Sequence, residues 1–172
     1  MKTKDLVHIA LFAALIGVCA QITIPTPIVP FTLQPFAISL TALTLPRKQA
    51  VSAVILYVLL GLIGLPVFAG GSGGFGVVLS PTFGFIVGFI PMAYAIATFK
   101  DKKVYGFRIL SLIAGIVVLY GIAMPYLYYN LTVLLEAPTE ISKLLMLYCL
   151  PYLPTDSLSS VVSSWISDRI PV

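Results

Sequence analysis

Charge is scarce in this chain: 9% of its 172 residues are Asp, Glu, Lys or Arg, while 59% are hydrophobic. A domain of this size leaves much of its surface exposed, so a single water-soluble core could not hide that much apolar surface. With a mean hydropathy of +1.07, the chain reads as an integral membrane protein. Cysteine is sparse too. Cys19 and Cys149 lie in apolar context without a CxxC or other ligand-like spacing, so they signal neither a disulfide framework nor a metal site and read as packing residues. The one histidine, His8, follows Lys2 and Lys4 closely and reads as an interfacial side chain rather than a catalyst. No GxxxxGK[ST] or HExxH pattern occurs, so ATP binding and metal-dependent hydrolysis find no local support.

What the chain does contain is a series of apolar runs. Allowing about 20 residues per crossing and treating Pro, Gly and charge as punctuation, the sequence predicts an all-α protein of six transmembrane helices forming a single membrane domain over residues 1–172. The predicted spans are residues 6–24, 36–45, 51–65, 81–99, 107–129 and 151–170, with a short interfacial helix over residues 141–150. The second is short for a crossing and the sixth is rich in serine. The first span continues into further spans and is too long for a signal peptide, so it is expected to remain in the mature protein.

The basic residues cluster at Lys2 and Lys4, at Arg47 and Lys48, from Lys100 to Arg108, and at Arg169. Six crossings bring all four places to one side and leave Lys143 on the other. The positive-inside rule makes the crowded side, with both termini, cytoplasmic. This accounts for the net charge of +4 without a nucleic-acid partner. Long connections after the first, third and fifth helices then face outward, at residues 23–35, 66–80 and 130–150. The first two hold no charge and read as a cover over an outward-facing pocket, since long loops usually have a function or are disordered.

Asp156 is the one charged side chain placed inside a stretch otherwise fit for lipid, LPYLPTDSLSS. An ionisable group at that depth costs about 2.5 to 3.5 kcal/mol even on lenient scales, which makes it a candidate substrate contact. GGSGGFG at residues 70–76 contains a literal GxGxxG, but it lies between membrane spans and the stretch from Phe89 to Thr98 holds no acid, so a dinucleotide site is rejected. A flexible loop or a substrate-facing loop remains, the latter because glycine lets backbone groups approach a ligand. IPTPIVPFTLQ at residues 24–34 is either a stiff connector of polyproline character or a cover whose Thr32 or Gln34 hydrogen-bonds the substrate. Small residues Ala10, Ala13, Ala14, Gly17 and Ala20 in the first span serve close helix packing, within the bundle or against another subunit. Trp165 fits an interfacial anchor, and Asn130 opens an N-x-T sequon.

PFTLQ at residues 30–34, FAGGSGGFGVVLSPTFG at residues 68–84 and PYLPTD at residues 151–156 together resemble the BioY family, the biotin-specific substrate-binding components of energy-coupling factor transporters. The resemblance spans nearly the whole chain and implies a prokaryotic, multi-pass plasma-membrane protein that is not an enzyme. It implies biotin as transported ligand rather than cofactor, with no cofactor of its own. The implied partners are a transmembrane coupling subunit, which would touch Ala10 and Ala14, and two ATP-binding subunits. It also assigns a substrate site: Asp156 facing the ureido ring, with Gly70, Gly71, Ser72, Gly73, Gly74, Thr82, Thr32 and Gln34 around it, and Phe68, Phe75 and Phe36 as apolar walls. Two positions depart from the family pattern, Ser159 where lysine is usual and Phe83 where glycine is usual. They keep open a component for another vitamin or small solute, beside an intramembrane enzyme centred on Asp156 and a purely structural subunit.

Overall fold

The computed structural model describes residues 2–102, 108–137 and 140–170. Among these are seven α-helices and one short antiparallel strand pair. The chain starts with α1, Thr3–Gln21, whose first turn is closed by Asp5 Oδ2 accepting from the Lys2 backbone N–H at 2.8 Å. Pro25, Pro27 and Pro30 follow, and proline cannot continue a helix because it lacks the N–H and clashes with the preceding turn. The chain instead folds back as a hairpin of β1, Thr23–Ile24, on β2, Phe31–Thr32, pairing Thr23 with Thr32 and Ile24 with Phe31. A straight polyproline connector is therefore not what forms here.

Pro35 then opens α2, Gln34–Thr44, at a position where its missing N–H costs nothing. This helix has 11 residues, about 17 Å of rise, and packs against α1, α3, α4 and α7. Apart from Phe36 and Thr44 it is buried throughout, so its apolar residues fall on every side rather than on one stripe, and Gln34, Ser39 and Thr41 are buried among them. α3, Arg47–Leu62, returns beside α1, and a long connection carrying two 3₁₀ turns, Ala69–Gly71 and Phe75–Leu79, leads to α4, Phe83–Phe99. α4 lies close along α5, Ile109–Tyr129. Glycine permits this approach: a Cβ at Gly115 would fall 2.5 Å from the Ile96 side chain, and one at Gly84 would fall 2.6 Å from that of Tyr126.

A π-helical turn, Asn130–Leu134, extends α5; α6, Ile141–Tyr148, is a short helix with only Leu144 buried, and α7 is Tyr152–Ser167. Two helical stretches, Thr3–Gln21 and Ile109–Leu134, are long and apolar enough to cross a membrane by length and composition, and α4 is a shorter apolar helix. The helix ends nearest the two long connections gather at one end of the bundle. Lys4, Arg47, Lys48, Lys100, Arg108 and Arg169 lie at the other, where the Lys100 ammonium donates to Leu45 O at 2.7 Å and Arg108 pairs with Asp168 at 2.8 Å. Burial lowers Lys100 below its ordinary value, Asp101 opposing and Arg108 reinforcing the effect.

Candidate functional site

A cavity of about 520 Å³ opens at the end of the bundle away from the basic residues, within the usual range for small-molecule sites. Four regions of sequence build it. The hairpin and the start of α2 supply residues 28–32, Gln34 and Pro35. The long connection and α4 supply, among others, Phe68, Ser72, Gly73, Val77, Ser80, Thr82, Phe85 and Phe89, Leu119 comes from α5, and Tyr152 and Asp156 come from α7.

Each covering segment is tied down. Tyr152 OH donates to Val29 O, and its ring stacks on Phe31 with centroids 3.9 Å apart and planes 9° from parallel. The hairpin thus rests on α7 one turn before Asp156. Gln21 at the end of α1 donates to Phe68 O at 3.1 Å, and Phe68 is buried edge-on against Tyr57. Farther along, Tyr126 OH donates to Val78 O and Asn130 Nδ2 to Leu79 O at 2.8 Å. Asn130 is buried in that role, so the sequon does not present a surface acceptor.

Most polar groups of the wall already have partners. Thr32 Oγ1 donates to Gln34 Oε1 at 3.0 Å, and Gln34 Nε2 reaches Tyr57 OH at 2.5 Å. Ser80 and Thr82 share a hydrogen bond at 2.8 Å, and Ser72 Oγ donates to Ala69 O at 2.9 Å. Asp156 differs. Its Oδ2 accepts from Tyr120 OH at 2.7 Å, both residues being buried, which leaves Oδ1 to accept from whatever enters the cavity. Asp156 is also the only formally charged residue of the wall among those described.

Of the residues expected at the site, Thr32, Gln34, Phe68, Ser72, Gly73, Thr82 and Asp156 come together on this wall. Five others do not. Gly70, Gly71 and Gly74 adopt φ of +68°, +72° and +93° and serve to turn the chain, a conformation open chiefly to glycine. Phe75 is 76% exposed and points outward. Phe36 follows Pro35 by one helical step and does not line the cavity; it is half-buried and packs against the hydrophobic core. Ala10 and Ala14 sit on the exposed outer face of α1, whereas Ala13, Gly17 and Ala20 of the same small-residue pattern are buried. His8 lies at the basic end, far along α1 from the hairpin, beside Lys4 and Lys100 in a smaller cavity of about 240 Å³.

Sequence reasoning passed over Tyr120 and Tyr152. The signal available was a phenol inside an apolar run, because a buried tyrosine hydroxyl normally finds a hydrogen-bond partner. Their partners lie 36 and 123 residues away, so the pairing itself could not be read.

The sequence model of the BioY family matches residues 1–171. The chain is 36% identical over 172 residues to a probable biotin transporter BioY of Lysinibacillus sphaericus, covering 98% of this chain and 87% of the relative. It is also 36% identical over 168 residues to the biotin transporter BioY of Thermotoga maritima, covering 97% and 95% respectively. In fold it is similar to the crystal structure of an S-component for biotin from an ECF-type ABC transporter, with a TM-score of 0.84 over 98% of this chain and 93% of that one, at 23% identity.

Proposed function

The chain belongs to the BioY family, and from that premise we propose that it is the substrate-capturing component of a biotin uptake transporter. It is not an enzyme. ATP hydrolysis on partner subunits powers transport, consistent with a sequence that contains no phosphate-binding loop. The observation that carries the reading is Asp156 Oδ1, an acceptor left open on a wall whose other polar groups are engaged. Biotin presents two ureido N–H donors, and a hydrogen bond to a charged acceptor contributes about 1.5 to 3 kcal/mol. The thiophane ring and valeryl chain then lie against apolar walls. Phe31, Phe68, Phe85 and Phe89 line the cavity and supply them, taking the place expected of Phe36 and Phe75.

In this account α1 to α5 and α7 are the six crossings, α6 lies at the outer interface, and residues 1–172 act as one membrane domain in a prokaryotic plasma membrane. The positive-inside rule places both termini in the cytoplasm. The hairpin and the long connection before α4 then face outward and cover the ligand. Ala10 and Ala14, exposed on α1, offer a flat surface to a transmembrane coupling subunit, which two ATP-binding subunits join. Biotin is cargo here and no cofactor is needed.

Equilibrium binding of labelled biotin to the purified chain in detergent tests the proposal. Saturable binding below about micromolar concentration, roughly 8 kcal/mol of binding free energy, is expected. Its absence would remove the biotin assignment, and uptake by the chain without partner ATPases would remove the division of labour.

A further inference from the structure

A cyclic urea with an acidic tail, the ligand that the proposed function requires, meets an acid with its head and no base with its tail. Among the described residues no Lys, Arg or His lines the cavity. Ser159, one turn beyond Asp156, is half-buried off the wall, and Lys143 of α6 is exposed and also off it.

Neutral donors can hold a carboxylate where several converge, most often at the start of a helix. Two helices start on the wall: at α2 the Gln34 N–H donates to Thr32 Oγ1 at 3.3 Å and Pro35 has no N–H, and at α4, beside Ser80 and Thr82, one hydroxyl hydrogen and two backbone donors are engaged. The two hydroxyls bond each other at 2.8 Å, and Phe83 N and Phe85 N donate to Ser80 O and Thr82 O at 3.1 and 3.0 Å. Across the cavity, Thr32 and Gln34 are joined to each other and to Tyr57. A carboxylate drawn fully inside would lose water, gain no cation and lie in the field of Asp156. Like charges in a poorly solvated site oppose each other. The cavity nevertheless has an open side, since Ser72, Gly73 and Gly76 both line it and are exposed. A tail directed there keeps its water, and a substituent on the tail has room to leave.

We infer that the site recognises the ring and is indifferent to the charge of the tail, so that its ligand class extends to amides and esters in which the carboxyl group is joined to an amine or an alcohol. This rests on the biotin reading. Calorimetric titration of the full chain in lipid nanodiscs with biotin, its primary amide, its methyl ester and its amide to the side chain of lysine tests it. The neutral forms are expected to bind within about fivefold of the acid or more tightly, about 1 kcal/mol or less of difference. Biotin binding more than about fivefold tighter than every neutral form overturns the inference and leaves the biotin reading in place. Failure of all four to bind overturns both.

Discussion

The two halves of α7 share one buried polar stripe, yet they do different things. Tyr152 and Asp156 in the first half meet the cavity. Ser160, Ser163 and Ser167 in the second continue the same buried stripe toward the basic end of the bundle. There each hydroxyl is satisfied within the protein. Ser163 and Ser167 donate to the backbone one turn back at 2.7 and 2.8 Å, and Ser160 shares a bond with Ser39 of α2 at 3.3 Å. Arg108 closes the stripe by donating to Ser167 at 2.7 Å and pairing with Asp168. In the first half one acceptor, Asp156 Oδ1, is left open. Along α7 the open acceptor faces the cavity, and the serine hydroxyls beyond it are spent on packing.

The contrast can be broken most severely at the acid. Asp156→Asn should weaken biotin binding by about 1.5 to 3 kcal/mol, roughly tenfold to a hundredfold. Its melting temperature should hold or rise, because a charge at depth is removed; equal affinity in the two proteins would mean that the open oxygen is not used. Tyr120→Phe comes next, leaving Oδ2 without its donor and the carboxyl group free to turn. We expect binding to fall by about 1 kcal/mol, with a lower melting temperature. In the second half the effects should reach stability alone. Arg108→Met removes the pair with half-exposed Asp168 and the bond to Ser167, at a cost of about 1 kcal/mol by chemical or thermal unfolding, and leaves biotin affinity unchanged. Ser163→Ala, at the bottom of the scale, should change stability by no more than about 0.5 kcal/mol, since the hydroxyl only bonds its own helix. A binding defect in either of the last two variants would erase the distinction between the halves.

The apolar runs made the helices legible. α4, Phe83–Phe99, starts two residues inside its expected span and ends with it, and α5 stops at Tyr129 as expected before its π-helical extension. α1 and α3 begin earlier, at Thr3 and Arg47, because charged residues at a helix end can stay in the aqueous interface while the backbone is already helical. The brevity of α2 was visible, but its central place was not, since burial on every side is a property of its neighbours. At the site, Asp156 stood out because a lone charge in an apolar run has few explanations. Phe31 and Phe36 could not be told apart by composition. One stacks on Tyr152 and lines the cavity, and the other packs half-buried against the core away from it, a difference set by the hairpin and by one helical step. The glycine segment left a flexible and a substrate-facing loop open, and which of its glycines line the cavity depends on φ values that no spacing encodes.

The central claim is that the open oxygen of Asp156 receives a ureido N–H. A double-mutant cycle between protein and ligand tests this most directly, using equilibrium binding of biotin and of biotin methylated on its ureido nitrogens to the parent chain and to Asp156→Asn. The account predicts that methylation weakens binding to the parent by about tenfold or more and that this penalty shrinks by at least about 1 kcal/mol in the variant. An identical penalty in both proteins would contradict it, because the acid and the N–H groups would then act independently.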